Sequence, residues 1–166
     1  MKFATWNVNS LGVRLPQVLD WLATNPVDVL GLQELKLTDE KFPVQAFTDV
    51  GYKASFFGQK TYNGVAILAK GTQPVEAQRT LPGDPEDEHA RYLEADVFGM
   101  RVASIYLPNG NPQPGPKFDY KLAWMQRLYA RAAALLAAEI PAVLAGDYNV
   151  IPHAHDIWAP AAMLDD

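Results

Sequence analysis

Five polar side chains stand where apolar runs of the chain give out: Asn7, Glu34, Tyr106, Asp147 and Asn149. Each closes or follows a stretch that reads as a strand, and open α/β sheets take their ligands beyond the carboxyl ends of their strands. In Gly146-Asp147-Tyr148-Asn149 an acid and an amide lie two residues apart, after the apolar run Ile140 to Ala145. One or two carboxylates with amides and water form a hard oxygen set that suits Mg²⁺, usually together with substrate phosphate, and Mn²⁺ accepts similar ligands. An ion held there can polarise a phosphoryl oxygen, help orient water and offset leaving-group charge. Asp147 could accept a proton from that water while Asn149 fixes its direction. Taken singly, each residue has a plainer reading. A strand-end carboxylate such as Glu34 is commonly a helix cap or turn residue, Asn7 could cap the turn after it, and Tyr106 could be a core aromatic. Their joint occurrence at the ends of four strands favours a site.

Such a site requires strands that end side by side. Lys2 to Asn7 reads as the first strand, and Leu15, Val18, Leu19 and Leu22 recur at i, i+3, i+4 and i+7, one face of an amphipathic helix. Asn25-Pro26 stops that helix, and Val27 to Leu32 reads as a buried strand running into Gln33-Glu34. Strand, helix, strand implies that Asn7 and Glu34 sit at neighbouring carboxyl ends of one sheet. Tyr52 to Phe57 and Gly64 to Leu68 read as two more strands, and Tyr92 to Val97 with Met100 to Tyr106 as a hairpin turning at Phe98-Gly99. After the proline-rich loop Leu107 to Pro116, a helix is expected over 118–139, with Leu122, Met125, Leu128, Tyr129, Ala132, Leu135 and Leu136 as its inner stripe. Pro141 breaks it and a last strand runs to Gly146. The class is α/β, and no linker divides the chain into two domains.

Composition narrows the partners. The chain has 166 residues, 49% hydrophobic and 20% charged, which fits one soluble globular domain rather than a disordered one. No apolar stretch approaches the ~20 residues of a membrane helix. The start Met1-Lys2-Phe3-Ala4-Thr5-Trp6 lacks the regions of a signal peptide. The absence of cysteine excludes disulfides and thiolate metal sites and fits a cytoplasmic protein. A net charge of −5, with 14 scattered Lys and Arg, gives no bulk attraction to nucleic acid, so a nucleic-acid function needs basic groups gathered by the fold. His153-Ala154-His155 is weak as a metal pair at i, i+2 spacing on a loop, and Trp6, Trp21, Trp124 and Trp158 read as core or rim packing.

The same residues carry a resemblance. Thr5-Trp6-Asn7-Val8-Asn9-Ser10-Leu11, Leu32-Gln33-Glu34-Leu35-Lys36, Asn63-Gly64-Val65-Ala66, Tyr106-Leu107-Pro108-Asn109-Gly110 and Gly146-Asp147-Tyr148-Asn149-Val150-Ile151-Pro152 come in the order seen in exonuclease III. The chain therefore resembles the exodeoxyribonuclease III and AP endonuclease branch of the endonuclease/exonuclease/phosphatase superfamily, from Met1 to about Met163. The resemblance implies a DNase I-like two-sheet α/β sandwich with flanking helices and Mg²⁺- or Mn²⁺-dependent hydrolysis of DNA phosphodiesters. It implies 3′-to-5′ exonuclease action on duplex DNA and incision at abasic sites. By position, Glu34 would be a direct metal ligand and Asn7 would lie in or beside the metal site. Tyr106 would contact the scissile phosphate, Asp147 would orient or deprotonate water, and Asn149 would hold water and phosphate, the last two also serving the metal. Arg91, in His89-Ala90-Arg91-Tyr92, matches a family arginine near the site, while Asn109 and Lys121 match the DNA-binding rim. The bland reading of Arg91 is an ion pair with the acidic stretch Asp84, Glu86, Asp87 and Glu88. Asp156 matches a family acidic position better than either neighbouring histidine matches a ligand.

The chain departs from the family in one respect. The resemblance implies a second half supplying an aspartate in a late strand and a terminal Ser-Asp-His motif, yet His89, His153 and His155 all lack a preceding Ser-Asp. Residues 1–166 are thus expected to form an incomplete domain, essentially the first sheet and its helices, ending at Met163-Leu164-Asp165-Asp166 without a terminal strand or helix. One apolar sheet face would then lie open and favour self-association. The chain alone would be poorly active, and the full-length parent would be a monomer acting on duplex DNA away from membranes. Two rivals stand beside this: a superfamily phosphatase acting on phospholipid or inositol head groups, and a non-catalytic interaction fragment.

Overall fold

A computed structural model of the chain describes residues 1–156 and Trp158. The ending 163–166, on which the absence of a terminal element rests, lies outside the described residues.

Strand β1 (Phe3–Asn7) leads through helix α1 (Leu11–Thr24) to β2 (Val29–Gln33), which runs parallel to β1 with Asn7 beside Gln33. A short helix α2 (Val44–Asp49) precedes the antiparallel pair β3 (Tyr52–Phe57) and β4 (Val65–Lys70). These strands form a four-stranded sheet in the order β1-β2-β4-β3. A second four-stranded sheet follows, in the order β5-β6-β7-β8. Its members are β5 (Val75–Arg79), β6 (Tyr92–Val97), β7 (Met100–Tyr106) and β8 (Ala142–Asp147), with the long helix α3 (Pro116–Ala137) crossing from β7 to a parallel β8.

The two-sheet sandwich with flanking helices is therefore the fold, but its division differs from expectation. The chain does not build one sheet with a bare face; it builds four strands of each sheet and packs them on one another. Alternation along the strands explains why. On β2 and β4 the odd-numbered Val29, Val65, Ile67 and Ala69 meet Leu93, Ala95, Val97 and Val102 of the second sheet. The even-numbered Leu30, Leu32, Ala66 and Leu68 pack outward against Val18 and Leu22 of α1 and Phe47 of α2. The second sheet's outer face is covered by α3, whose Trp124 and Leu128 pack with Tyr92, Ala103 and Ile105. Beneath the carboxyl ends, Gln33 pins the sheets together: its Nε2 donates to Thr5 Oγ1 at 3.0 Å and to Ser104 Oγ at 3.0 Å, and Ser104 Oγ donates to the Leu32 carbonyl at 2.9 Å.

Helix α3 also sits rotated from its expected face. Trp124, Leu128 and Leu135 are buried, whereas Tyr129 and Leu136 are 76% and 80% exposed and Leu122 and Met125 also face outward. The cause is electrostatic. Arg127 and Arg131, interleaved with the buried positions, reach inward to Asp87 and to the fully buried Glu94. The apolar surface left open thus lies on α3 beside the edge strand β8. Strand β5 was not anticipated because Val-Glu-Ala-Gln-Arg is polar, exposed and bulged between Glu76 and Gln78.

Candidate active site

Strand pairing brings the four carboxyl ends together. β1 and β2 end in register at Asn7 and Gln33, β7 and β8 at Tyr106 and Asp147, and β1 lies against β8 across the sandwich. Gly146, within β8, permits the close approach of β7 and β8 at this end. It sits at φ 155° beside Ile105, and a Cβ there would fall 2.0 Å from the Ile105 carbonyl oxygen.

At the centre, Asn7 Nδ2 donates to Glu34 Oε1 at 3.2 Å and to Asp147 Oδ2 at 2.7 Å, so one amide bridges a carboxylate from each sheet. Its Oδ1 accepts the Asn9 N–H at 2.9 Å, so the turn-capping role expected as the plain alternative is also filled. Tyr106 Oη donates to Glu34 Oε1 at 2.6 Å, and Lys36 Nζ lies 3.2 Å from Glu34 Oε2 and 2.6 Å from Asn9 Oδ1. Burial pushes the Glu34 carboxyl up, but the donors Tyr106, Asn7 and Lys36 outweigh it and hold Glu34 below the usual carboxylate range. Tyr106 moves the other way: burial and the Glu34 carboxylate push its hydroxyl far up, so it remains a proton donor. Glu34 occupies left-handed backbone at φ 55° and Asn149 at φ 47°, conformations that non-glycine residues adopt only when the surroundings hold them.

Asn149 N–H donates to Asp147 Oδ1 at 3.0 Å, and Asn149 Nδ2 donates to the Leu107 carbonyl at 2.7 Å, which leaves the amide oxygen free to turn toward a ligand. Arg91 places its guanidinium over the Tyr106 ring, 4.8 Å from the centroid, and 6.0 Å from that of Tyr120. Its Nε is buried without a partner, and the acidic stretch pairs with Arg127 instead, at 2.7 Å from Asp87. Asn109 lies on the wall between two hollows, one of about 470 Å³ beside Asp147 and Asn149, the other of about 450 Å³ beside Glu34 and Tyr106. Lys121 reaches the backbone carbonyls of Asn109 and Asn149. All eight sequence-predicted residues thus gather at one end of the sandwich. Sequence reasoning gave no role to Lys36, His89, Lys117, Tyr62 or Tyr120, which line the second hollow with Arg91. The clustering of Lys36 two residues after Glu34 was the available signal. His153 and His155 stack ring on ring on an exposed segment away from these contacts.

The donor set fits a divalent cation. Among the described residues no group of three or more His, Cys, Asp or Glu gathers, but Mg²⁺ is commonly held by one or two carboxylates with water and substrate phosphate completing its shell. Glu34 and Asp147, with amide oxygen from Asn149, supply that much; Asn7 stands beside them and turns its nitrogen to both carboxylates.

Known proteins share this fold. The chain is 34% identical over 165 residues to exodeoxyribonuclease III of Haemophilus influenzae, covering 95% of this chain and 60% of that protein. It superposes on the 3′ phosphatase NExo from Neisseria, solved with a product DNA hairpin, with TM-score 0.88 and 42% identity over 98% of this chain and 63% of the other. It superposes on an AP endonuclease from Archaeoglobus fulgidus with TM-score 0.89 and 37% identity, at the same two coverages of 98% and 63%. The chain spans about three fifths of the length of these relatives. No described helix is long and apolar enough to cross a membrane. The description "Endonuclease/Exonuclease/phosphatase family" matches residues 4–165, and the chain belongs to that family.

Proposed function

We propose that the whole protein is a cytoplasmic, Mg²⁺- or Mn²⁺-dependent DNA repair nuclease that hydrolyses phosphodiester bonds at 3′ ends and at abasic sites of duplex DNA. The observation that carries this reading is the Asn7 amide bridging Glu34 and Asp147. It joins carboxylates from two sheets into one oxygen-lined site, and relatives with this fold include exodeoxyribonuclease III and an AP endonuclease. When bound at Glu34 and Asp147, a divalent ion would supply charge neutralisation on the phosphoryl oxygens.

The chain's own residues do the rest. Asp147 holds a water by its carboxylate and accepts its proton as the oxygen attacks phosphorus and the bond to the departing 3′ oxygen breaks; that oxygen takes a proton from solvent, and Asn149 directs the attacking water through its amide oxygen. Tyr106, kept protonated by burial and by Glu34, turns its one O–H from Glu34 to the charge developing on the phosphate. Arg91, stacked on the Tyr106 ring, and Asn109, between the hollows, bind the phosphates on either side. Net charge is −5, yet Lys36, Arg91 and Lys117 share one hollow at the site, a local gathering of basic groups of the kind a nucleic-acid substrate needs. Removal of a 3′-terminal phosphate is the same displacement, with the sugar 3′ oxygen as leaving group and no second nucleoside on phosphorus, and a relative is named for that activity.

These 166 residues contain no Ser-Asp-His, so their turnover is expected to be slow, and enzyme in excess over substrate is the suitable regime. The test uses labelled duplexes carrying an abasic analogue, a recessed 3′ end or a 3′-phosphate. Mg²⁺-dependent cleavage that stops with EDTA and with Glu34→Ala is the expected result. Equal cleavage by Glu34→Ala would remove Glu34 from the mechanism. Preference for a phosphoinositide over all three duplexes would favour the phosphatase branch.

A further inference from the structure

We infer that Lys121 is a positioning residue that locks the loops after β7 and β8 together and thereby aims Asn149, rather than a cation that meets DNA. The inference rests on the reading of Asn149 as a water- and phosphate-orienting group. Resemblance alone put Lys121 on the substrate rim, and three features of the structure point elsewhere.

First, the ammonium is already engaged. Lys121 Nζ donates to the Asn149 carbonyl at 2.5 Å and to the Asn109 carbonyl at 3.2 Å, backbone atoms of two loops that otherwise meet through Leu107. Second, the path of the side chain is built for it. Gly110 lies at φ 81°, and a Cβ on it would stand 2.7 Å from Lys121 Cδ, so the missing side chain leaves the channel through which the lysine stem passes. Third, the contacts converge. Asn149 Nδ2 donates to the Leu107 carbonyl, Leu107 N–H donates to the Asp147 carbonyl at 2.9 Å, and Asn149 N–H donates to Asp147 Oδ1. Lys121 adds a further link, from the Asn149 carbonyl to the Asn109 carbonyl. Asn149 holds left-handed backbone at φ 47°, which asparagine tolerates better than most residues, and the Lys121 ammonium on its carbonyl fixes it there.

A strut and a phosphate contact predict different things. Neutralising a lysine that binds phosphate weakens DNA binding and lowers the salt slope by about 1. Removing a strut leaves binding and slope alone and lowers the rate of the chemical step, because small displacements of orienting groups cost rate. Lys121→Met keeps the stem and removes the ammonium; Lys121→Arg keeps donors at its end. Amide hydrogen exchange on this chain is the first measurement. Lys121→Met is expected to speed exchange at Leu107 and Asn149 about 10-fold or more, and Lys121→Arg to recover most of that protection. Single-turnover cleavage and duplex binding across a salt series then follow. The expected result for Lys121→Met is a rate about 10-fold lower at saturating enzyme, with unchanged affinity and salt slope. Unchanged exchange at both amides, or a lowered salt slope with an unchanged rate, would overturn the assignment. The exchange result decides on this chain alone whether Lys121 holds the two loops, and it stands whether or not these 166 residues cut DNA; the nuclease reading is judged separately, by cleavage of the labelled duplexes.

Discussion

Replacing Tyr106 with Phe tests the electrostatics of the site with little loss of shape. The ring stays, and with it the stacking of Arg91 at 4.8 Å, but the hydroxyl that donates to Glu34 at 2.6 Å is lost. A hydrogen bond to a charged group contributes about 1.5–3 kcal/mol. Here the loss falls at or below the low end, because Glu34 is 17% exposed and keeps Asn7 and Lys36, each at 3.2 Å. The expected cost is about 1–2 kcal/mol at pH 7. Its pH dependence has a definite sign. Glu34 titrates below its ordinary 4.5 in the folded protein, so its contribution is present above that value and fades as pH falls through the folded pKa. The gap between wild type and Tyr106→Phe should therefore close on acidification from neutral pH to below the ordinary Glu value. Urea denaturation at a series of pH values measures the gap, and carboxyl NMR of Glu34 should show its pKa raised in the variant. A stability loss of the same size at every pH, or a Glu34 pKa that does not move, would refute the reasoning.

Other consequences follow from the framework that holds the site. Glu94 is fully buried and accepts from Arg131 at 2.7 Å through two nitrogens, from Arg101 at 3.0 Å and from the Tyr92 hydroxyl. Glu94→Ala strands the Arg131 guanidinium and the Tyr92 hydroxyl, while Arg101 keeps Asp96, and should cost about 3 kcal/mol by thermal or urea unfolding, with near-wild-type stability as the contrary result. Gly146→Ala drives a Cβ to 2.0 Å from the Ile105 carbonyl and should break the β7–β8 register, read as loss of protection at Ile105 and Asp147 in hydrogen exchange. Gln33→Leu removes the polar pin between sheets and leaves Ser104 and Thr5 to re-pair; a loss of about 1–3 kcal/mol is expected in urea, and an unchanged midpoint would contradict it.

Much of the site was legible because strand ends announce themselves: an apolar run followed by a polar residue puts Asn7, Glu34, Tyr106 and Asp147 on one rim once the parallel connections are right-handed and short. The sandwich itself was less so. The alternation of Val29 against Leu30, or Ile67 against Leu68, cannot be read when both faces of a strand are buried and both residues are apolar. Apolar spacing alone misplaces the inner face of α3, which Trp124, Leu128 and Leu135 form together with Arg127 and Arg131. The acidic loop offered Asp87 to Arg91 and Arg127 alike, and only the fold shows that Arg127 takes it, which leaves Arg91 for the Tyr106 ring. Lys121 was visible as a basic residue near the rim, but its two carbonyl partners come from loops far apart in sequence.

We propose that Glu34 and Asp147, bridged by Asn7, form a single divalent-cation site at the joined ends of the two sheets. Mn²⁺ binding followed by electron paramagnetic resonance tests it without depending on catalysis. One saturable Mn²⁺ should bind to the wild-type chain, be displaced by Mg²⁺, and be lost in both Glu34→Ala and Asp147→Asn, each variant remaining folded by circular dichroism. Mn²⁺ binding that survives both substitutions, or that never saturates at one ion per chain, would contradict it.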